Sequence, residues 1–398
     1  MRLRTLVADD SIVFRRVLSD ALGALPEVDV VGTASNGRQA LQRIQELKPH
    51  VVTLDMEMPE MDGLGGLEAL KKAGDTSSVI VVSALTRKGG QLTLKALERG
   101  AFDFITKPDT ASADLSREAI QRELAPRLKA LMHRHEIRDL LRGGPGRPAS
   151  SATMVTATGR VSAGGATGCS KPVGGPSVAV ASGASSAAGL ENVAGRMNNL
   201  ASFHRPEMVL VGVSTGGPNA LAKVLPALPA NLGVPVLVVQ HMPPMFTQSL
   251  AENLAGKCPM AVREAAAGET ARPNTVYIAP GGRQMRVSPA SDGSKLLQIT
   301  DDPPENNCRP AVDYLFRSAA NHYPGRSMAV ILTGMGSDGT VGLRLLKRHG
   351  CPVIAQDEST CVVYGMPKAA VEAKVVDWVL PLEAIAGRIV STLRGGSA

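Results

Sequence analysis

The chain has 398 residues, long enough for two or three domains, and a formal net charge of +7. Its five scattered cysteines contain no Cys-x-x-Cys pair, which argues against a disulfide framework and against a zinc site. No apolar run reaches the length of a membrane helix, and the first residues lack the long apolar region of a signal peptide. We therefore expect a cytoplasmic protein without membrane insertion. The lack of a helix-turn-helix or zinc-finger pattern argues against a nucleic-acid partner.

The first third of the chain alternates short apolar runs with helical patterns. The predicted strands are 3–8, 28–33, 51–54, 79–83 and 102–105. The predicted helices are 11–22, 37–47, 90–99 and a charged closing helix over about 115–141. Five strand–helix units in a row predict a domain over residues 1–125 whose parallel sheet is covered on both faces.

Polar residues stand where these predicted strands end. They are Asp9, Asp10, Asp55, Ser83 and Lys107. Because the carboxyl ends of parallel strands meet at one edge of a sheet, we expect these side chains to lie together. Clustered carboxylates repel one another unless a cation lies among them, and oxygen ligands suit Mg²⁺. The alternative is that Asp9 and Asp10 cap the first helix and Asp55 begins a turn.

The motifs around these residues resemble a response-regulator receiver domain, which has a flavodoxin-like (βα)5 fold. They are Val7-Ala8-Asp9-Asp10-Ser11, Leu54-Asp55-Met56-Glu57-Met58-Pro59, Val82-Ser83-Ala84 and Phe104-Ile105-Thr106-Lys107-Pro108. The resemblance implies that a sensor histidine kinase phosphorylates Asp55. It also implies the following ligands of Mg²⁺: Asp9, Asp10, Asp55 and the backbone carbonyl of Glu57. Ser83 and Lys107 would contact the phosphoryl oxygens, and Phe104 would be the aromatic switch residue.

The stretch between residues 142 and 205 is dominated by Gly, Ala, Ser, Pro and Thr and has no periodic hydrophobicity. Such a composition cannot bury enough apolar surface to offset the entropy lost on ordering the chain. We predict a disordered linker, long enough to let the two flanking domains separate or dock.

From residue 206 to about 395 the alternation of strands and helices returns. The predicted strands are 208–213, 234–240, 276–279, 328–332 and 352–355, with 296–299 as a further strand in a hairpin. This pattern predicts a second α/β domain with a doubly wound, Rossmann-like parallel sheet. Ligands of such sheets bind outside the carboxyl ends of the strands.

The first strand of this domain runs into Gly212-Val213-Ser214-Thr215-Gly216-Gly217-Pro218, and a helical pattern follows. This order places Ser214 at the carboxyl end of a strand, where α/β enzymes carry nucleophiles, and the glycines allow a sharp turn. Two alternatives remain open from this stretch alone. Ser214 could cap the helix, or the glycines could cradle a phosphate.

Two further residues extend the pattern. His241 follows the second strand, and Asp338 lies in the loop after the strand at 328–332. Serine, histidine and aspartate on three loops at one sheet edge are the components of a nucleophile, a base and a group that orients the base. For Asp338 the alternative is a cap on the helix that follows.

The motifs of the second domain resemble the methylesterase domain of the chemotaxis receptor-modifying enzymes. These motifs include Gly212-Val213-Ser214-Thr215-Gly216-Gly217-Pro218, Gln240-His241-Met242-Pro243-Pro244, Leu332-Thr333-Gly334-Met335-Gly336-Ser337-Asp338-Gly339 and Arg309-Pro310-Ala311-Val312-Asp313. With a receiver in front, the chain resembles the CheB family of protein-glutamate methylesterases/protein-glutamine glutaminases. The implied substrates are methylated glutamates and glutamines on the cytoplasmic helices of chemoreceptors, and the implied esterase reaction needs no cofactor.

The resemblance also implies a mechanism. Ser214 attacks the γ-carbonyl, His241 takes the proton of Ser214, and Asp338 holds the imidazole. The oxyanion would lie against main-chain N–H groups, with Met335 the donor by resemblance and Thr215 a further candidate from the strand–helix turn. Two positions depart from the family pattern, where Gln284 replaces a frequent histidine and Cys308 precedes Arg309-Pro310. We expect neither Gln284 nor Cys308 to touch the triad, although both could alter substrate fit.

The order receiver, linker, hydrolase suggests that the unphosphorylated receiver obstructs the cleft around Ser214 and that phosphorylation of Asp55 weakens this docking. Two other classes of function compete with this interpretation. The first is a receiver fused to a Rossmann-like module that binds a ligand without catalysis. The second is a DNA-binding response regulator, which is disfavoured because strands follow residue 206 where a recognition helix bundle is expected.

Overall fold

The computed structural model describes residues 2–108, 112–141 and 205–395. The predicted linker, residues 142–205, lies outside the described residues apart from Arg205, so its predicted disorder stays a prediction. Within the described ranges, no helix combines the length and the apolar composition that crossing a membrane requires.

The N-terminal part contains a five-stranded sheet. Its strands are β1 (Leu3–Ala8), β2 (Val28–Ala34), β3 (Val51–Asp55), β4 (Ser78–Ser83) and β5 (Asp103–Thr106). Its helices are α1 (Ile12–Gly23), α2 (Gly37–Leu47), α3 (Gly63–Lys72), α4 (Arg87–Glu98) and α5 (Ala113–Leu141). All strand pairs are parallel and the order is β2-β1-β3-β4-β5. This is the flavodoxin-like order, as predicted.

Alternate residues of these strands are buried on opposite faces of the sheet. Leu6 on β1 packs in one cluster with Ile44 of α2, whereas its neighbour Val7 packs in another with Leu18 of α1 and Leu124 of α5. Because successive side chains of a strand point to opposite faces, a strand between two helical layers is apolar throughout. Because these strands are buried on both faces, the apolar runs of the sequence predict where the strands lie.

The C-terminal part contains ten strands. They are β6 (Met208–Val213), β7 (Val236–Gln240), β8 (Ala261–Glu264), β9 (Glu269–Thr270), β10 (Thr275–Ile278), β11 (Gln284–Pro289), β12 (Lys295–Thr300), β13 (Ser327–Ile331), β14 (Val353–Gln356) and β15 (Trp378–Leu380). The α-helices described here are α6 (Gly217–Val224), α7 (Phe246–Ala255), α8 (Val312–His322), α9 (Thr340–Arg348), α10 (Met366–Glu372) and α11 (Leu382–Leu393).

Seven of these strands form a parallel sheet in the order β15-β14-β13-β6-β7-β10-β8. From β6 the chain first builds one side of the sheet through β7, β8 and β10. It then returns to β13 on the other side of β6 and continues outward to β14 and β15. The direction of winding therefore reverses between β6 and β13, and an open α/β sheet forms its binding crevice at the carboxyl ends of such a pair.

The three remaining strands form a separate antiparallel sheet in the order β11-β12-β9. Its hairpin confirms the predicted strand at 296–299. Sequence patterns missed β8, β9, β11 and β15. Of these, β9 has only two residues and β15 three, which is too few for a period of two to emerge.

Helices α8 and α9 pack so closely that one glycine is required. A Cβ atom at Gly342 of α9 would lie 2.4 Å from the Cβ of Phe316 in α8. Gly387 in α11 is a natural comparison, because a Cβ atom there would meet nothing within 4 Å. Both residues lie inside helices, where alanine is otherwise favoured over glycine by about 1 kcal/mol.

We predict opposite effects of alanine at these two glycines. Gly342→Ala should destabilise the protein by about 1–3 kcal/mol, because overlap in a packed interface outweighs helix propensity. Gly387→Ala should raise stability by up to about 1 kcal/mol. Denaturant unfolding of the full chain measures both changes. Equal shifts for the two variants would contradict the close packing of α8 on α9.

Candidate active site

The loops after β6, β7 and β13 meet at one edge of the seven-stranded sheet. Val213 and Gln240 are register partners at the ends of β6 and β7, so Ser214 and His241 follow neighbouring strands. The amide of His241 donates to the carbonyl of Val213 at 3.1 Å, and the amide of Ser214 donates to the carbonyl of Thr333 at 3.0 Å. The site therefore lies at the point where the winding of the sheet reverses.

Glycines allow these loops to approach one another. Gly216 has φ +78° and is the N-cap residue of α6, without a side-chain capping bond. A Cβ atom at Gly217 would lie 1.9 Å from Oε1 of Gln240, and one at Gly334 would lie 2.8 Å from the Cβ of Ser214. Ser214 thus does not cap the helix, and the capping interpretation of this residue is wrong. The glycines instead make room for contact between the loops.

Two residues that sequence reasoning missed hold the loops in place. Nε2 of Gln240 donates to the carbonyls of Ser214 and His241 at 3.0 and 3.1 Å. Oγ1 of Thr333 donates to the carbonyl of Thr215 at 2.9 Å. Both side chains are buried, with exposures of 2% and 1%. A polar residue at the end of an apolar strand was the available signal, because a buried amide or hydroxyl requires a hydrogen-bond partner.

His241 and Asp338 are in direct contact. Nε2 of His241 lies 2.7 Å from Oδ2 of Asp338. The carboxylate also accepts the main-chain amides of Val312 at 2.7 Å and Asp313 at 3.1 Å, and the side-chain amide of Asn306 at 2.8 Å. Asp338 therefore lies against the N-terminus of α8, where the helix presents unpaired N–H groups.

The capping alternative for Asp338 is wrong as stated. The N-cap residue of α9, the helix that follows Asp338, is Gly339 with φ +94°. Asp338 instead serves the start of α8, a helix that precedes it in the chain. Oδ2 of Asp338 accepts the amide of Val312 and also contacts the imidazole of His241, whereas Oδ1 accepts the amide of Asp313.

The contact between His241 and Asp338 raises the pKa of the histidine and lowers the pKa of the aspartate. Burial acts to lower the pKa of His241, but the hydrogen bonds to Asp338 and Cys308 outweigh it and raise the pKa to about 9. Burial acts to raise the pKa of Asp338, but His241 and the main-chain amides of α8 outweigh it and lower the pKa. Both shifts favour an imidazolium beside a carboxylate. The imidazole must lose its proton before it can act as a base.

The second ring nitrogen of His241 faces a thiol. Sγ of Cys308 lies 3.6 Å from Nδ1. The expectation that Cys308 does not touch the triad is therefore wrong. Gln284 is fully buried, and its side chain holds the Cys308 segment by donating to the carbonyl of Pro303 at 3.1 Å and accepting the amide of Ala311 at 2.9 Å. Within residues 205–395 it makes no hydrogen bond to the triad.

The hydroxyl of Ser214 is half-buried, and within residues 205–395 it makes no hydrogen bond to His241. The structure thus brings the three predicted residues to one sheet edge but pairs only His241 with Asp338. Among the same residues, the main-chain N–H groups of Met335 and Thr215 have no hydrogen-bond acceptor. Thr215 directly follows Ser214, and Met335 follows Gly334, which lies against Ser214.

The predicted cluster at the other sheet edge also forms. Asp9, Asp10 and Asp55 offer carboxylate oxygens that all lie within 4.8 Å of one another. Nζ of Lys107 lies 2.8 Å from Asp9 and 2.7 Å from Asp55. The N-cap residue of α1 is Ser11, which accepts the amide of Phe14, so the interpretation of Asp9 and Asp10 as the caps of this helix is wrong.

Charge and burial oppose each other at Asp55. Burial raises the pKa of this carboxyl above its ordinary value, against the lowering effect of Lys107. Burial acts to lower the pKa of Lys107, but its bonds to Asp55 and Asp9 outweigh it and raise the pKa. The amide of Glu57 donates to Asp55 at 3.3 Å. Among the described residues, the buried hydroxyl of Ser83 has no hydrogen-bond partner.

The two sheets share one compact unit, and the active-site edge of the second sheet contacts the first domain. Oγ1 of Thr215, next to Ser214, donates to Oδ2 of Asp103 at 2.9 Å. The ring of Phe104 stacks on Phe246 of α7, with centroids 5.1 Å apart and planes 9° from parallel. The side chain of Asn219 in α6 donates to the carbonyl of Leu97 at 2.8 Å.

Charged pairs surround this interface. Arg87 of α4 pairs with Glu252 of α7 at 2.6 Å, and Lys257 pairs with Glu98 of α4. These side chains are between one third and two thirds exposed, so each pair contributes at most about 1 kcal/mol. Rim charges of this kind orient the contact, whereas the buried phenylalanine stack supplies its apolar centre.

Comparisons with known proteins agree with both halves of this architecture. The family model described as CheB methylesterase matches residues 209–389, and that of the response regulator receiver domain matches residues 5–117. A protein-glutamate methylesterase/protein-glutamine glutaminase of Desulfotalea psychrophila is 44% identical over 98% of this chain and 99% of its own length. One from Moorella thermoacetica is 43% identical over 99% of each chain. The solved catalytic domain of Thermotoga maritima CheB methylesterase is 44% identical, covering 47% of this chain and 98% of that one, with a TM-score of 0.46.

We predict that the charge state of His241 depends on its carboxylate. In a nuclear magnetic resonance titration, the imidazole should titrate with a pKa of about 9. Asp338→Asn should lower that pKa by about one to three units, because an opposite charge in contact is removed. Asp357→Asn is the control, since that carboxylate accepts the amide of Thr360 instead. An unchanged titration in Asp338→Asn would refute the pairing.

Proposed function

This chain belongs to the family of protein-glutamate methylesterases/protein-glutamine glutaminases, and on that premise we propose that Ser214, His241 and Asp338 form its catalytic triad. The protein is a hydrolase with a receiver domain, not the non-catalytic binding module that the sequence left open. The single observation that carries the assignment is the 2.7 Å contact of His241 with Asp338 at the sheet edge that bears Ser214.

The proposed reaction begins at a methylated glutamate on a cytoplasmic helix of a chemoreceptor. Neutral His241 accepts the proton of Ser214 as the serine oxygen bonds to the γ-carbonyl carbon, and the resulting imidazolium is stabilised by Asp338. Collapse of the tetrahedral intermediate breaks the ester bond, and His241 returns the proton to the departing methanol. Water then attacks the acyl-enzyme with the same base and releases the glutamate. With a glutamine substrate the first step expels ammonia instead.

The oxyanion of the tetrahedral intermediate needs hydrogen-bond donors that have no other partner. The main-chain N–H groups of Met335 and Thr215 meet this condition within the described residues. Both flank the Ser214 loop, because Gly334 and Ser214 are in contact and Thr215 follows the serine. We assign the oxyanion site to these two donors. Loss of one such donor typically costs about 10²–10³ in turnover.

Activation requires that Ser214 and His241 become partners. In the structure one ring nitrogen of His241 faces Asp338 and the other faces Cys308. Proton transfer therefore needs a modest rearrangement that brings Nδ1, or the ring after a flip, to the serine hydroxyl. Hydrogen bonds of this kind often tighten only when substrate binds.

The receiver is the proposed site of control. Three carboxylates beside one another and an unpartnered buried hydroxyl at Ser83 fit a divalent cation and an incoming phosphoryl group. Asp9, Asp10, Asp55 and the carbonyl of Glu57 would hold Mg²⁺, which would neutralise charge on the transferred phosphoryl group. Asp55 would accept that group from a sensor histidine kinase, and Lys107 and Ser83 would contact its oxygens.

The receiver contacts explain how this modification could reach the hydrolase. Lys107 bonds to Asp55 and lies three residues after Phe104 on the same segment. Phe104 stacks on Phe246, and Asp103 accepts the hydroxyl of Thr215 beside the nucleophile. A phosphoryl group that draws Lys107 away from its present partners would therefore disturb the residues that cover the active-site loop.

We predict that Ser214→Ala lowers methanol release from methylated receptor by at least about 10⁴-fold, because no other oxygen nucleophile takes its place. Asp55→Ala should keep the basal rate but lose stimulation by a small phosphodonor. Release of methanol by gas chromatography measures both. Full activity of Ser214→Ala would refute the triad, and stimulation of Asp55→Ala would refute the phosphorylation site.

A charge reversal at the interface tests the inhibitory docking separately. Lys257→Glu places like charges opposite Glu98, and we predict a rise in unstimulated methanol release of about two- to fivefold, equivalent to up to about 1 kcal/mol. Lys223→Glu is the matched control, since Lys223 pairs with Glu383 of the same hydrolase domain. Equal basal rates in the two variants would argue against docking as the inhibitory device.

A further inference from the structure

Cys308 and His241 form a second possible set of ligands at the active site. Sγ of Cys308 lies 3.6 Å from Nδ1 of His241, while Nε2 of the same ring is held by Asp338. The thiol is half-buried and the imidazole side chain is 13% exposed, so solutes can reach both. We infer that this pair binds a thiophilic divalent cation such as Zn²⁺, and that binding reversibly inhibits the hydrolase.

The separation of the two atoms suits one tetrahedral metal ion. Zinc binds thiolate sulfur at about 2.3 Å and imidazole nitrogen at about 2.0–2.1 Å. At a tetrahedral angle these bond lengths place sulfur and nitrogen about 3.6 Å apart. The 3.6 Å between Cys308 and His241 equals that separation. A cation could therefore enter without a large movement of either side chain.

Asp338 contacts the ring nitrogen of His241 that faces away from Cys308. Histidine ligands of metals usually donate their other N–H to a carboxylate, which fixes the tautomer and makes the metal-facing nitrogen more basic. The 2.7 Å contact between Nε2 and Asp338 is such a bond. Cys308, His241 and Asp338 also form one of the two groups of metal-binding side chains found among the described residues, and the other is the receiver carboxylates.

The segment that carries Cys308 is held rigidly. Main-chain bonds run in both directions between Glu305 and Cys308, at 3.1 and 2.7 Å. The side chain of Gln284 donates to the carbonyl of Cys308 at 3.4 Å and accepts the amide of Ala311 at 2.9 Å. A preformed pair of ligands loses less conformational entropy on binding than two mobile side chains would.

The other described cysteines are poorer candidates. Burial raises the pKa of the Cys258 thiol to about 11 and that of Cys361 to about 12, so both resist forming the thiolate that metals bind. Burial also raises the pKa of Cys351, which is fully buried. Among the described residues, none of these three cysteines belongs to a group of three or more side chains that could hold a metal ion.

Binding would block the proposed reaction directly. As the metal binds, the thiol of Cys308 and Nδ1 of the His241 imidazolium each release a proton to solvent, and the freed thiolate and Nδ1 lone pairs bond to the metal. His241 then cannot accept the proton of Ser214. The inhibition rests on the proposed role of His241 as the base, whereas the binding site rests on the geometry alone.

Cobalt reports the binding site without reference to activity. Co²⁺ added to the full chain should produce a thiolate-to-metal charge-transfer band, which the receiver carboxylates cannot give. Cys308→Ser and Cys308→Ala should lose this band, and Cys258→Ser should keep it. A band of equal strength in the Cys308 variants, or no band in the wild type, would overturn the site. Circular dichroism of each variant establishes that loss of the band is not loss of the fold.

The effect of metal binding on activity is tested with Zn²⁺. Half-inhibition of methanol release, measured relative to the uninhibited rate of each variant, should require at least about tenfold more Zn²⁺ in Cys308→Ser than in wild type, since one of two protein ligands is lost. Cys258→Ser should match the wild type. A wild type that binds cobalt through Cys308 yet keeps its full rate in zinc would overturn the inhibition, whereas the role of Ser214 and the triad is tested separately by Ser214→Ala.

Discussion

The hydrolase site depends on a buried carboxylate. Asp338 is only 4% exposed, and an ionised carboxylate in that setting needs several compensating donors. It obtains them from the first amides of α8, from Asn306 and from His241. Because the helix N-terminus already stabilises the charge, the carboxylate can hold the imidazole without itself taking the proton. Removing a main-chain or Asn306 donor would therefore leave the buried carboxylate less compensated and raise its pKa.

The receiver also contains buried carboxylates whose charge must be compensated. Asp9 and Asp55 are also buried, but their compensating charge is the ammonium of Lys107 rather than a helix N-terminus. A lysine on a flexible stem can leave one carboxylate for another anion, whereas main-chain amides cannot move. The hydrolase site thus holds the charge of Asp338 in place, whereas the receiver site allows the charge of Lys107 to move to another anion. That difference matches a catalytic role for the first and a switching role for the second.

The two sites are linked through a short physical path. Lys107 and Phe104 lie on one segment of the receiver, Phe104 stacks on Phe246, and Asp103 bonds to the residue next to Ser214. The apolar stack and the buried hydrogen bond carry this contact, since the exposed ion pairs around it are individually weak. The same loop cluster brings Cys308 to His241, the proposed base. A signal from the receiver would thus act on the Ser214 loop, and a soluble cation would act on His241.

The sequence by itself determined the fold class, the two sheets and the sheet edges at which Ser214, His241 and Asp338 would lie, because apolar runs mark strands that are buried on both faces and polar residues mark their ends. It could not show that Asp338 serves the start of α8, or that Gln240 and Thr333 tie the loops together, since those bonds join distant segments. For the same reason it placed Cys308 outside the triad. Only the tertiary structure decided which nitrogen of His241 faces the carboxylate and which faces the thiol, because hydrogen bonds between loops depend on packing that no local pattern encodes.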